Sequence, residues 1–164
     1  MKVFKDEIGR EWTLSLTIGS ARKVRDLLQV NLLELDKGEP PLITRLGTDL
    51  ILIVDILYVL VKDQADRLTI TDEQFGCSLN GDAFMRAQGA FYDELVLFFR
   101  GLGRADLALA LEKQRGILVQ AVEVMETKID EIDTFKIVKD AFGKSSTNLP
   151  EQSDVIPAHS PSES

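Results

Sequence analysis

The chain has 164 residues, about the length of one domain, and its 45% hydrophobic and 28% charged residues are typical of a globular protein and exclude wholesale disorder. The 27 acidic residues outnumber the 19 basic ones, for a net charge of -8, which is opposite in sign to the surface of most nucleic-acid-binding proteins. A single cysteine and a single histidine exclude disulfide frameworks, most metal sites and most histidine-based catalysis. We therefore expect no nucleic acid, no metal and no cofactor.

The first predicted element is a β-hairpin over residues 2–19, with Gly9 in its turn. Apolar and polar residues alternate strictly along its second half, and a period of two is typical of a half-buried strand. The apolar members are Trp12, Leu14, Leu16 and Ile18. An isolated hairpin is only marginally stable in water, so its apolar face must pack against a helical layer.

A short helix is predicted next, from Ala21 to about Gln29, with Ser20 as its N-cap. One face of this helix carries the apolar side chains Val24, Leu27 and Leu28. The segment from Asp36 to Pro41 combines charged residues with glycine and two prolines, which indicates a loop that is too short to be a domain linker.

A buried helix is predicted from Leu50 to about Leu68, capped by Thr48 or Asp49. Its apolar run is shorter than the roughly twenty residues that a membrane span needs, so we expect no membrane contact. Asp55 interrupts the run. It is either a buried general base with a raised pKa or, as its place in a narrow polar strip favours, a residue at the solvent edge of the helix.

A capping box predicts another helix start at Thr71, because Thr71 and Gln74 have the spacing at which each side chain can bond the other's backbone N–H. A longer amphipathic helix follows from Ala83 to Arg100, and we interpret its apolar face as core rather than as a ligand site. We interpret Cys77 as a small buried hydrophobic residue rather than a nucleophile. The apolar face consists of Phe84, Ala87, Phe91, Leu95 and Phe98.

The last predicted helix follows a break at Gly101–Gly103 and runs from Arg104 to about Asp133. Apolar residues recur along it at the spacing of a coiled-coil seam. We call them the predicted seam: Leu118, Val122, Met125, Ile129 and Ile132. The seam either packs on its own domain or pairs with another chain, which is a partner or a second copy. Acidic residues beside it would attract a basic helix, namely Glu123, Glu126, Asp130, Glu131 and Asp133.

No constellation in the sequence indicates catalysis. A glycine-rich phosphate-binding motif is missing, and the only histidine, His159, lies in a Ser- and Pro-rich segment over residues 143–164 that we predict to be a disordered tail. The prediction is therefore one mainly helical domain over residues 1–142, with an N-terminal β-hairpin packed on it, a long C-terminal helix and no enzymatic activity.

Several stretches, taken in chain order, carry a family resemblance over about residues 1–110. They are Phe4–Leu14, the helices beginning at Ser20 and Leu50, Thr71–Gly76, and the group Gly81, Asp82, Ala83, Ala87, Ala90, Phe91, Glu94, Leu95, Phe98 and Phe99. Together they resemble the small tail assembly chaperones of long-tailed bacteriophages. The resemblance implies a non-enzymatic helical protein that coats the tape-measure protein before the tail tube polymerises, and that is made in a short and a frameshifted long form.

Two other non-enzymatic functions remain open. The chain is a head–tail connector or another virion component, which shares the small helical build, or it is a generic intracellular adaptor whose seam forms a homodimer. The lone Cys77 and the absence of a recognisable secretory signal predict a cytoplasmic location, which is the host cytoplasm for a phage protein. An enzyme that acts through carboxylates alone is the least favoured alternative.

Overall fold

An antiparallel β-hairpin opens the chain and is followed by helices, as the sequence predicts. The computed structural model describes the backbone of residues 1–131 and the side chains of residues 1–124. Strands β1 (Lys2–Lys5) and β2 (Glu11–Leu14) pair with Phe4 opposite Trp12. The described helices are α1 (Ile18–Leu28), α2 (Leu42–Thr48), α3 (Leu50–Arg67), α4 (Asp72–Cys77), α5 (Gly81–Gly101) and α6 (Ala105–Glu131). The prediction of a mainly α fold with an N-terminal hairpin is confirmed.

The hairpin is shorter than predicted. β2 ends at Leu14, so the alternating pattern stops being a strand before Ile18, which is 50% exposed and is the first residue of α1. Thr17 is the N-cap of α1, and Ser20 is the third helical residue that bonds back to it. The prediction of Ser20 as the cap was therefore wrong by one turn, because Thr17 and Ser20 are both capping residue types and together form a capping box.

The two later helix starts follow their local signals. Asp49 caps α3 by accepting a hydrogen bond from the Leu52 N–H at 3.0 Å. Thr71 and Gln74 form the predicted capping box at α4, with bonds of 3.2 and 3.1 Å between each side chain and the other's backbone N–H. Short-range hydrogen bonding therefore explains where both helices begin.

The core lies where β2 meets α3, α4 and α5. Trp12 is fully buried, and its ring meets Phe75 edge-on with centroids 5.1 Å apart. The predicted face of α5 faces this core: Ala87, Phe91 and Leu95 are buried, and Phe84 and Phe98 are partly buried against it. In α1, Val24 is buried, but Leu27 is 60% exposed, so that part of the predicted apolar face was wrong.

The break between the last two described helices occurs at Gly103, whose φ of 74° is in the left-handed region that favours glycine. Met1–Val122 form one compact unit. The predicted domain over residues 1–142 extends beyond the described residues. The predicted tail over residues 143–164, including His159, lies entirely outside them. Among the described residues, no helix is both long and apolar enough to cross a membrane.

Candidate functional site

The first half of α6 is held against the domain by one apolar stripe. Leu107 and Leu111 are buried, and Leu118 is partly buried against the core. Their separations of four and seven residues place them on one side of a helix with 3.6 residues per turn. The stripe therefore fixes which side of α6 faces its own domain up to Leu118.

Two ion pairs join α6 to α5. Arg115 pairs with Asp93, and Glu112 pairs with Arg100, one turn away on α6 and two turns away on α5. Lys2 of β1 also approaches Asp93, at 3.7 Å. The side chains in these pairs are between 29% and 57% exposed, so water and salt screen them and they contribute more to orientation than to stability.

The predicted seam continues the domain-facing stripe of α6. Leu118, its first member, packs against the core, and Val122 is half-buried. The sequence continues the same spacing to Met125 and Ile129, whose side chains are outside the described part of the chain, as is all of Ile132. The structure thus packs the first seam residue against the core and leaves the second half-buried, at the point where the unit Met1–Val122 ends.

A second apolar line on α6 escaped the sequence analysis. Ile117 is 62% exposed and Val124 is 52% exposed, and their separation of seven residues places them two turns apart on one side of the helix. The signal was present in the sequence, with Ala121 between them at the i+4 position. It was overlooked because the predicted seam explained the apolar content of the helix.

The candidate catalytic aspartate lies at the solvent edge of α3. Asp55 is exposed, which confirms that interpretation over the one that made it a buried base. Partial desolvation raises its pKa, and the neighbouring negative charges of Asp49 and Asp72 raise it further. Among the residues with described side chains, no group of three or more His, Cys, Asp or Glu is arranged to hold a metal ion.

Cys77 was wrongly predicted to be buried. Its side chain is exposed at the end of α4. Phe75, two residues earlier, is fully buried and occupies the inward side of this short helix. Because two residues subtend about 200° on a helix, Cys77 is turned to the opposite side.

A buried aspartate that the sequence analysis missed organises the hairpin turn. Asp6 is 2% exposed and accepts three hydrogen bonds, from the Arg10 N–H at 2.8 Å, from Arg10 Nε at 2.7 Å and from Trp12 Nε1 at 3.0 Å. Burial by itself would raise the pKa of Asp6, but the bonds donated by Trp12 and Arg10 outweigh it and lower that pKa. The carboxylate is therefore a structural acceptor that is already occupied.

Glu94 of α5 is a second buried carboxylate with partners in distant parts of the chain. It accepts the Leu16 N–H at 3.0 Å, and its other oxygen lies 2.9 Å from the Met1 amino nitrogen. It therefore ties the segment after β2 and the start of β1 to α5. On the same helix, burial raises the pKa of Tyr92 to about 12, so this phenol stays neutral. Neither group lines a described cavity.

The chain matches no family model, no curated protein and no solved structure.

Proposed function

We propose that this protein is a non-enzymatic tail assembly chaperone of a long-tailed phage, which binds the tape-measure protein in the host cytoplasm. The observation that carries the proposal is the course of the α6 stripe. Its residues up to Leu118 pack on the domain, and the same spacing continues in the sequence beyond Val122, where the compact unit ends.

A helix anchored at one end and apolar beyond its anchor is suited to helix-in-groove or helix-pair recognition. The continuation of the seam, Met125, Ile129 and Ile132, supplies the apolar contacts. The acidic residues around it, such as Glu126 and Asp130, favour a helix with basic flanks and disfavour an acidic one. The resemblance implies that the partner, the tape-measure protein, is a long helical chain whose apolar faces need such shielding before assembly.

Co-expression with the tape-measure protein encoded in the same genome tests the proposal. The double variant Val122→Asp with Ile129→Asp places two charges on the seam and should abolish co-purification. The matched control, Ile117→Asp with Val124→Asp, places the same two charges on the same helix along its exposed second line. It should leave co-purification unchanged.

The outcomes separate the alternatives. Unfolding of the seam variant, seen as exposure of Trp12 by its fluorescence, would mean that the seam is internal core. Loss of binding in the control variant alone would move the interface to the other side of α6. A stable dimer in light scattering at several concentrations, with no tape-measure binding, would favour a homodimeric adaptor. Detection of the protein in purified particles by mass spectrometry would favour a virion component, because an assembly chaperone leaves before the particle is complete.

A further inference from the structure

On the outer edge of β2, backbone groups form hydrogen bonds with a side chain instead of with a neighbouring strand. The Thr13 N–H donates to Gln64 Oε1 at 3.0 Å, and the Thr13 carbonyl accepts from Gln64 Nε2 at 2.7 Å. Thr13 therefore directs both backbone groups away from β1. Its cross-strand partner is Val3, so Val3 and Thr13 form a non-hydrogen-bonded pair of the antiparallel ladder.

The alternation of the ladder then fixes which backbone groups β1 presents on its own outer edge. Val3 and Lys5 point their N–H and C=O groups away from β2, whereas Phe4 points inward. Two contacts agree with these directions of the backbone groups. The Asp6 N–H donates inward to the Arg10 carbonyl at 3.0 Å, and the Lys5 carbonyl accepts a long outer contact from Arg86 Nε at 3.4 Å.

A groove runs along this outer edge of β1. It has a volume of about 770 Å³ and lies between β1 and the side of α5 that carries Met85, Gly89 and Ala90. Gly89 contributes no side chain to the groove, and a Cβ built on it would meet only Arg115 of α6, which also lines the groove, at 3.8 Å. A strand of four residues spans ~13 Å, so the edge can pair with about four residues of another chain.

The groove is a basic region on an acidic protein. Four of its six charged lining residues are basic, although the whole chain carries a net charge of -8. The two carboxylates are already engaged: Asp6 by the hairpin turn, and Asp93 by Arg115 and Lys2. The exposed side chains of Lys5 and Arg86 therefore give the open edge its positive charge.

We propose that the groove between β1 and α5 binds an extended acidic segment of a partner protein, which adds to β1 as a third strand. Main-chain hydrogen bonds to both outer backbone groups of Val3 and to the Lys5 N–H supply the pairing, and the side chains of Lys5 and Arg86 select acidic side chains. This site contains no residue of the predicted seam on α6 and uses a different kind of recognition. A test of this proposal is therefore independent of the proposed function.

A labelled probe peptide of about eight residues, in which glutamate alternates with valine, tests the charge selection on the purified full chain. The double variant Lys5→Glu with Arg86→Glu should weaken its binding by about tenfold or more in fluorescence anisotropy. The matched control, Lys23→Glu with Arg67→Glu, makes the same charge change in exposed residues of α1 and α3 and should change binding less than about twofold. A peptide with lysine in place of glutamate should not bind.

Backbone hydrogen exchange on the unmodified protein tests the strand addition itself. Saturating peptide should slow exchange of the Val3 and Lys5 amides and leave the Phe4 amide, which already faces β2, nearly unchanged. Equal protection of all three, no protection at all, or equal loss of affinity in both charge-reversed variants would overturn the proposal. An absence of binding would mean that Lys2 and Lys5 serve only to protect a short edge strand from pairing.

Discussion

Removal of the Asp6 carboxylate should destabilise the protein strongly. In Asp6→Ala, the Trp12 indole N–H, which belongs to a fully buried ring, loses its acceptor. An unsatisfied buried donor costs about 1–3 kcal/mol, and loss of the two Arg10 bonds, which water partly replaces, brings the expected total to about 2–4 kcal/mol.

Urea unfolding measures this loss directly. Trp12 is the only tryptophan, so its fluorescence reports the hairpin, and far-ultraviolet circular dichroism reports the helices. The urea midpoint should fall by about 1–2 M in both signals. Glu7→Ala, at the neighbouring exposed position, should leave it nearly unchanged. A loss below about 0.5 kcal/mol in Asp6→Ala would refute the assignment of Asp6 as the acceptor that holds the turn.

The pH dependence gives an independent check. The folded pKa of Asp6 lies below its unfolded value of 3.8, so its stabilising contribution is complete above that value and is lost as the pH falls through the folded pKa. Asp6→Asn should therefore be less stable than the unmodified protein near neutral pH, and the difference should shrink below about pH 4. A difference that stays constant down to about pH 2 would contradict the lowered pKa.

Three further substitutions test other contacts by urea unfolding. Gln64→Ala should cost about 1 kcal/mol, because both outer backbone groups of Thr13 lose their partner; an unchanged midpoint would mean that water replaces it fully. Leu118→Ala should lower the free energy of unfolding by about 1–3 kcal/mol, whereas Val119→Ala, at a position 47% exposed, should lower it far less. Equal losses would mean that Leu118 is not on the side of α6 that packs against the domain. Gly116→Ala should stabilise by about 1 kcal/mol, since its Cβ would meet no atom within 4 Å; destabilisation would indicate an unseen close contact.

The elements that the sequence predicted are those whose determinants lie close together in the chain. The capping box at Thr71 spans four residues, and the apolar face of α5 repeats within single turns, so both could be read directly. The start of α1 was misplaced because Thr17 and Ser20 offer equivalent local signals. No local signal had indicated α2, which lies directly after the proline-containing loop.

The features that escaped prediction depend on residues far apart in sequence. Glu94 bonds the backbone of Leu16 across 78 residues, and Gln64 bonds Thr13 across 51. No periodicity could have paired them. Cys77 shows the same limitation on a smaller scale, because the side of α4 that faces inward is set by where Phe75 meets Trp12. The open edge of β1 could not be predicted either, because the bonds of Thr13 to Gln64 determine which backbone groups of the hairpin point outward.

Hydrogen exchange across α6, with and without the co-purified tape-measure protein, tests the central claim most directly. The proposed contact predicts slower exchange on binding over residues 119–131, which follow Leu118, the last described residue packed against the core, and little change around Leu107 and Leu111, which are already buried. Protection confined to other helices, or unchanged exchange over residues 119–131 in a complex that does form, would contradict the assignment of α6 as the partner-binding element.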